Sequence, residues 1–96
     1  MSTGEHPNLG NLVSEAEYLR RRMLGAVQHD PGRPADDADV AAYRDLRAAA
    51  REVLGPDGVV GAPDAPAGTS RADLHHAAGH LEHALLERLA ELRTGR

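Results

Sequence analysis

The sequence predicts an all-α fold, either a small three-helix bundle or an extended helical hairpin, with a long Gly/Pro-rich loop before the last helix. Apolar residues recur at three- and four-residue steps in three segments, and Gly and Pro cluster between those segments. The length of 96 residues suits one domain, residues 1–96, better than two. We therefore expect a single core built by three amphipathic helices.

The first helix is expected over residues 8–28, with Asn8 as its N-cap because Asn is a preferred residue there. Two prolines and a glycine in residues 28–35 then end the helix and form a short connector. The apolar positions that share one helix face are Leu9, Leu12, Val13, Ala16, Leu19, Met23, Ala26 and Val27.

The second helix is expected over residues 37–54. Asp36, Asp37 and Asp39 supply N-terminal caps and negative charge where backbone N–H groups are unpaired, and Gly55 with Pro56 ends the helix. Its apolar stripe is Tyr43, Leu46, Ala50, Val53 and Leu54, with Ala42 and Ala49 at the margin. Residues 55–69 show no period and offer only Val59 and Val60 as anchors, which predicts a mobile loop.

The third helix is expected over residues 70–93. Ser70 and Asp73 have the spacing of a capping box ahead of an apolar run. The predicted core stripe is Leu74, Ala78, Leu81, Leu85, Leu89 and Leu92.

The composition predicts a thin core. The chain has no Phe, Trp or Ile and only two Tyr, so the hydrophobic core must consist mainly of Leu, Val and Ala. An Ala-rich core buries little apolar area per residue in a chain of this size. We therefore expect an oligomer, or a protein partner, to supply further stability.

Charge and composition also narrow the function classes. The formal net charge is −4 and the pI is about 5.8, so nucleic acid and anionic membranes are not expected partners. Cysteine is absent, which excludes disulfides and thiolate metal sites. No stretch approaches the roughly 18 apolar residues of a membrane span, and no signal peptide is evident, so we expect a cytoplasmic protein without membrane contact.

Histidines on the third helix form a candidate metal site. His76, His80, His83 and Glu87 fall on one face, away from the leucines. Imidazoles one turn apart can bind one transition ion such as Zn²⁺ or Ni²⁺, although His76 and His83 lie about 10 Å apart, so a complete site needs a second helix or a symmetry mate. The alternatives are a solvated helix face and a titrating interface.

Arginines on the second helix form a candidate partner-binding stripe. Arg44, Arg47 and Arg51 align along one flank, where they suit an anionic partner or simply cover the apolar stripe beside them. Arg20, Arg21 and Arg22 are consecutive and spread over about 200° of a helix, so they do not form one patch.

No catalytic motif is present. The glycines of residues 55–68 lack the lysine of a phosphate loop, and neither GxSxG nor HExxH occurs. The leading interpretation is a non-enzymatic helical interaction protein without a cofactor, acting as a homo-oligomer or as an adaptor subunit. The alternatives are a His-ligated metal-binding or metal-responsive protein, and a regulator that binds an anionic partner through the arginine stripe.

Overall fold

A computed structural model describes residues 9–94 of the chain. Within them lie three α-helices, α1 (Leu9–His29), α2 (Asp37–Leu54) and α3 (Arg71–Arg93), and a short 3-10 helix, Pro56–Val59. The described residues form no strand, and Pro34 and Ser70 make one isolated antiparallel bridge. The all-α prediction is confirmed, and the three helices pack together as a bundle. Asn8, the expected cap of the first helix, lies outside the described residues.

The bundle is organised around α1, which makes its most extensive contact with α3. Arg20 of α1 pairs with Glu82 of α3, while Arg71 at the start of α3 donates to the carbonyl of Ala26 near the end of α1. These contacts make α1 and α3 antiparallel. Helix α2 is antiparallel to α1 as well, because its first turn meets the last turns of α1 through Asp39 and Arg22. Helices α2 and α3 therefore run in the same direction.

The parallel arrangement of α2 and α3 explains the long connection between them. An 18-residue helix is about 27 Å long, and residues 55–69 must return over that distance before α3 can begin. The segment does so while packed against the bundle, with Val59, Ala62 and Ala65 buried and Val60 exposed. We call residues 55–69 the crossover.

Two hydrogen bonds from α2 hold the crossover against the bundle, and its mobility stays a prediction of the sequence. Tyr43 Oη donates to the carbonyl of Pro63 at 2.6 Å, and Arg47 Nε donates to the carbonyl of Ala62 at 2.5 Å. Gly55 ends α2 with a φ of 83°, a backbone conformation that favours glycine. The sequence of the crossover does not predict this packing, because its buried residues are small and irregularly spaced and so form no periodic apolar pattern.

The start of α3 is held by the α1–α2 connector. The N–H of Arg71 donates to the carbonyl of Arg33 at 2.8 Å, and the N–H of Ala72 donates to the carbonyl of Pro31 at 3.0 Å. Ser70 Oγ accepts from the N–H of Asp73 at 3.1 Å, as the capping box predicts. N–H groups that a helix leaves unpaired at its first turn are thus satisfied within the protein.

The core is small and rich in alanine. Seven of the seventeen buried apolar residues described are alanine, and Tyr43, Met23, Leu74, Leu81 and Leu85 are the largest of the fully buried side chains. The complete buried apolar set is Leu12, Ala16, Leu19, Met23, Ala35, Val40, Tyr43, Leu46, Ala50, Val59, Ala62, Ala65, Leu74, Ala77, Ala78, Leu81 and Leu85. The thin core expected from the composition is present.

Two leucines of the predicted α3 core stripe lie outside the buried core, because Leu89 is only partly buried and Leu92 is exposed. Leu92 is 51% exposed although it continues the leucine stripe of α3. Helices α1 and α3 are antiparallel and meet at the Arg20–Glu82 pair, so Leu92, ten residues further along α3, lies level with the first described turn of α1, at the end of the bundle. Asp39, which the sequence predicts to help cap α2, is buried at 8% exposure. Its carboxylate faces Arg22 instead of solvent.

Candidate functional site

An open groove runs along the outer side of α2. Its volume is about 720 Å³, and it lies between α2 and the crossover. We call it the α2 groove; its lining residues are Ala41, Arg44, Asp45, Arg47, Ala48, Arg51, Glu52, Pro56 and Asp64. The three arginines that the sequence places on one flank of a helix are therefore brought together along one surface feature.

The three arginines of the groove have different surroundings. Arg47 is half-buried and is occupied by its hydrogen bond to the crossover carbonyl of Ala62. Arg44 Nε lies 3.7 Å from Asp64 Oδ1, and both side chains are exposed. Arg51 is exposed and forms no ion pair with any described residue. Arg44 and Arg51 are consequently the two cations of the groove that remain accessible to a partner.

Acidic side chains balance the arginines. Asp45, Glu52 and Asp64 line the same groove, which gives it as many acidic as basic residues. Asp45 and Glu52 are exposed and form no ion pair within residues 9–94. A surface of mixed charge favours a partner that also carries both signs over a polyanion.

Tyr43 anchors the groove from beneath. Its side chain is fully buried, and burial, the largest cause, together with the carboxylate of Asp64, raises the pKa of its phenol to about 12. The guanidinium of Arg47 acts in the opposite direction on the same pKa, through its charge and a hydrogen bond. The phenol is therefore neutral at physiological pH and serves as a hydrogen-bond donor to the crossover.

The four residues of the predicted metal site fall into two separate pairs. His76 and His80 approach through their ring nitrogens, with the two Nε2 atoms 3.0 Å apart, ring centroids 4.5 Å apart and planes at 80°. His83 Nε2 lies 3.0 Å from Glu87 Oε2, one turn further along α3. All four side chains are exposed. Over residues 9–94, no group of three or more His, Asp or Glu side chains is placed to hold one ion.

The consecutive arginines of α1 tie the bundle together. Arg20 reaches Glu82 of α3, Arg22 Nε donates to Asp39 Oδ1 of α2 at 2.6 Å, and Arg21 pairs with Glu17 within α1 at 2.7 Å. The hydrogen bond and charge of Asp39 raise the pKa of the Arg22 guanidinium. Helical spacing predicts that the three arginines spread around α1, but it does not indicate the two partners, Glu82 and Asp39, because they lie on other helices.

A smaller apolar groove lies between α1 and α2. Its volume is about 290 Å³, and its lining includes Tyr18, Leu19, Ala42 and Leu46. Tyr18 is 68% exposed there, but Leu19 and Leu46 are core residues that already pack within the chain. Fewer residues line this groove than line the α2 groove, and Glu15 is the one charged residue among them. It therefore offers a partner fewer specific polar contacts than the α2 groove does.

Comparison with known protein families, with curated proteins and with solved structures finds no match to this chain. None of the helices within residues 9–94 is long and apolar enough to span a membrane.

Proposed function

We propose that this chain is a small non-enzymatic interaction protein that pairs with a second copy of itself through the outer face of α2. The observation that carries the proposal is the order of charged residues on that face, which is self-complementary when two α2 helices lie side by side in the same direction.

A line of small residues marks the centre of this face. At 100° per residue, Ala41 and Ala48 lie almost one above the other, and both side chains are exposed. Arg44 and Arg51 lie about 50–70° to one side of that line, while Asp45 and Glu52 lie about 30–50° to the other. The face therefore has a basic edge, a small-residue centre and an acidic edge.

A two-fold axis parallel to α2 brings opposite charges together. Such an axis places the basic edge of one helix against the acidic edge of the other, so that Arg44 faces Asp45 of the second copy and Arg51 faces its Glu52. Neighbouring residues differ by only about 1.5 Å along a helix, so both pairs are nearly level. An axis perpendicular to the helices makes them antiparallel and sets like charges against each other, which disfavours that arrangement.

In the proposed dimer, the ion pairs determine the relative direction of the two α2 helices and the choice of partner, and close packing of these helices supplies the apolar contact between the two copies. Alanines at the centre permit an interaxial distance near the lower end of the 8–10 Å range. Each exposed ion pair contributes about 0.2–1 kcal/mol, and the symmetric arrangement contains each pair twice. Since Asp45, Glu52 and Arg51 make no ion pair within the described chain, pairing costs them no existing ion-pair contact.

A charge-reversal series tests the proposal by sedimentation equilibrium. The wild-type chain is expected to be a dimer, and Arg44→Glu/Arg51→Glu is expected to be monomeric because each copy then presents two acidic edges. Adding Asp45→Arg/Glu52→Arg to that variant restores opposite edges and is expected to restore the dimer. The control is Arg88→Glu/Arg93→Glu, which changes the net charge equally on exposed positions of α3.

Cysteine cross-linking tests the direction of the helices. The natural chain has no cysteine, so a single introduced cysteine reports one position without background. Parallel pairing brings residue 41 to residue 41 and residue 48 to residue 48, and both Ala41→Cys and Ala48→Cys are expected to form disulfide-linked dimers under mild oxidation. A monomeric wild type refutes self-association, and cross-linking at residue 48 without residue 41 refutes the parallel arrangement.

A further inference from the structure

A second binding surface, independent of the α2 groove, lies on α3. We propose that His76 and His80 form a bidentate site for one divalent transition-metal ion, with water completing the coordination sphere. The site lies on a different helix from the proposed self-association face, so neither proposal requires the other.

The separation of the two ring nitrogens fits a shared ion. Metal–nitrogen distances of about 2.0–2.1 Å and ligand–metal–ligand angles between octahedral and tetrahedral values require the two nitrogens to be about 2.8–3.4 Å apart. The Nε2 atoms of His76 and His80 are 3.0 Å apart. The i,i+4 spacing on α3 therefore brings the two donor atoms within the distance range that chelation needs.

The surroundings leave room for the ion. His76 and His80 are both exposed and, with His75 and Gly79, line an open pocket of about 260 Å³. In the metal-free pair, the T-shaped rings allow one Nε2–H to donate to the other Nε2. Chelation requires both neutral imidazoles to carry their proton on Nδ1, so the ring that donates moves its proton from Nε2 to Nδ1 by exchange with water. A rotation of one ring about its Cβ–Cγ bond then directs the two Nε2 lone pairs at one ion.

The donor set defines the class of ion. Two neutral imidazoles suit Ni²⁺, Cu²⁺ and Zn²⁺, with Cu²⁺ expected to bind most tightly, whereas Mg²⁺ and Ca²⁺ require oxygen ligands. His83 is not part of the site, because it is paired with Glu87 at 3.0 Å. This pairing makes His83 a matched control on the same face of the same helix.

Isothermal titration calorimetry of the full chain with NiCl₂ and ZnCl₂ tests the site. We expect one ion per chain, a higher melting temperature in the presence of either ion, and no binding of MgCl₂. Either His76→Ala or His80→Ala is expected to weaken binding at least tenfold, because a chelate is reduced to a single ligand. His83→Ala is expected to bind as the wild type does.

The metal-free melting temperature shows whether each variant remains folded, and exposure of both imidazoles predicts that it is unchanged. A wild-type chain that binds neither Ni²⁺ nor Zn²⁺ overturns the proposal. Binding that persists undiminished in the His76→Ala/His80→Ala variant also overturns the proposal and assigns the ion elsewhere, for example to the other four of the chain's six histidines.

Discussion

Tyr43→Phe should detach the crossover from α2 at one point while leaving the shape of the core almost unchanged. The substitution removes the hydroxyl that donates to the carbonyl of Pro63 at 2.6 Å but keeps the buried ring. A net intramolecular hydrogen bond contributes about 0.5–1.5 kcal/mol. Pro63 is exposed, so water can satisfy the freed carbonyl, and we expect a loss of about 1 kcal/mol.

Thermal unfolding followed by circular dichroism measures this loss. For a chain of this size, about 1 kcal/mol corresponds to a fall of roughly 4–8 °C in the melting temperature. Amide hydrogen exchange should show the largest acceleration for residues near Pro63, whereas amides of the buried α1–α3 contact should exchange only about fivefold faster, as a loss of about 1 kcal/mol in global stability predicts. Tyr18→Phe is the matched control, because Tyr18 is 68% exposed.

The same hydroxyl predicts a defined dependence of stability on alkaline pH. Its pKa is about 12 in the folded chain against an ordinary value of 10.0, so the folded state holds the proton more tightly than the unfolded state does. The stabilisation is present below about pH 10 and is lost as the pH rises toward 12. Tyr43→Phe should remove this dependence, whereas Tyr18→Phe should retain it.

The Tyr18→Phe variant isolates Tyr43, since the chain has only two tyrosines. Its tyrosinate absorbance should then rise near pH 12 while the protein remains folded. A midpoint near 10, or a Tyr43→Phe variant that melts with the wild type, would refute the view that this phenol anchors the crossover.

Two further predictions concern the third helix. Leu85→Ala should lower the free energy of unfolding by about 2–5 kcal/mol because the side chain is fully buried. Leu92→Ala should lower it by less than about 1 kcal/mol because Leu92 is 51% exposed, and equal effects of the two variants in urea unfolding would contradict the assigned burial. Ser70→Ala should lower the free energy of unfolding by about 1 kcal/mol by removing the acceptor for the Asp73 N–H, and Ser70→Asp should largely restore it; a silent alanine variant would show that the cap adds nothing here.

The helices could be predicted from the sequence because each has a sustained apolar period. The predicted ranges of 8–28, 37–54 and 70–93 agree with the observed helices to within one residue wherever the chain is described. The direction of α3 relative to α2 could not be predicted, because it depends on where the crossover packs. That packing uses isolated small residues, such as Ala62 and Ala65, which leave no periodic signal.

The candidate sites were predictable as helix faces but not as sets of contacts. Helical spacing places Arg44 and Arg51 on one flank, and the structure puts both in the α2 groove. Spacing could not show that Arg47 bonds to the crossover, because that contact joins residues far apart in sequence. It likewise left open which histidines meet, and the structure pairs His76 with His80.

The three consecutive arginines of α1 have a consequence for how the sequence can vary by insertion or deletion. Arg20 and Arg22 point to different helices, so the order of side chains along α1 sets the positions of both neighbours around it. Adding or removing one residue just before Arg20 turns every earlier side chain by about 100° relative to this pair of contacts. Either the buried face or both ion pairs would then be lost, so length changes in this domain should accumulate outside α1.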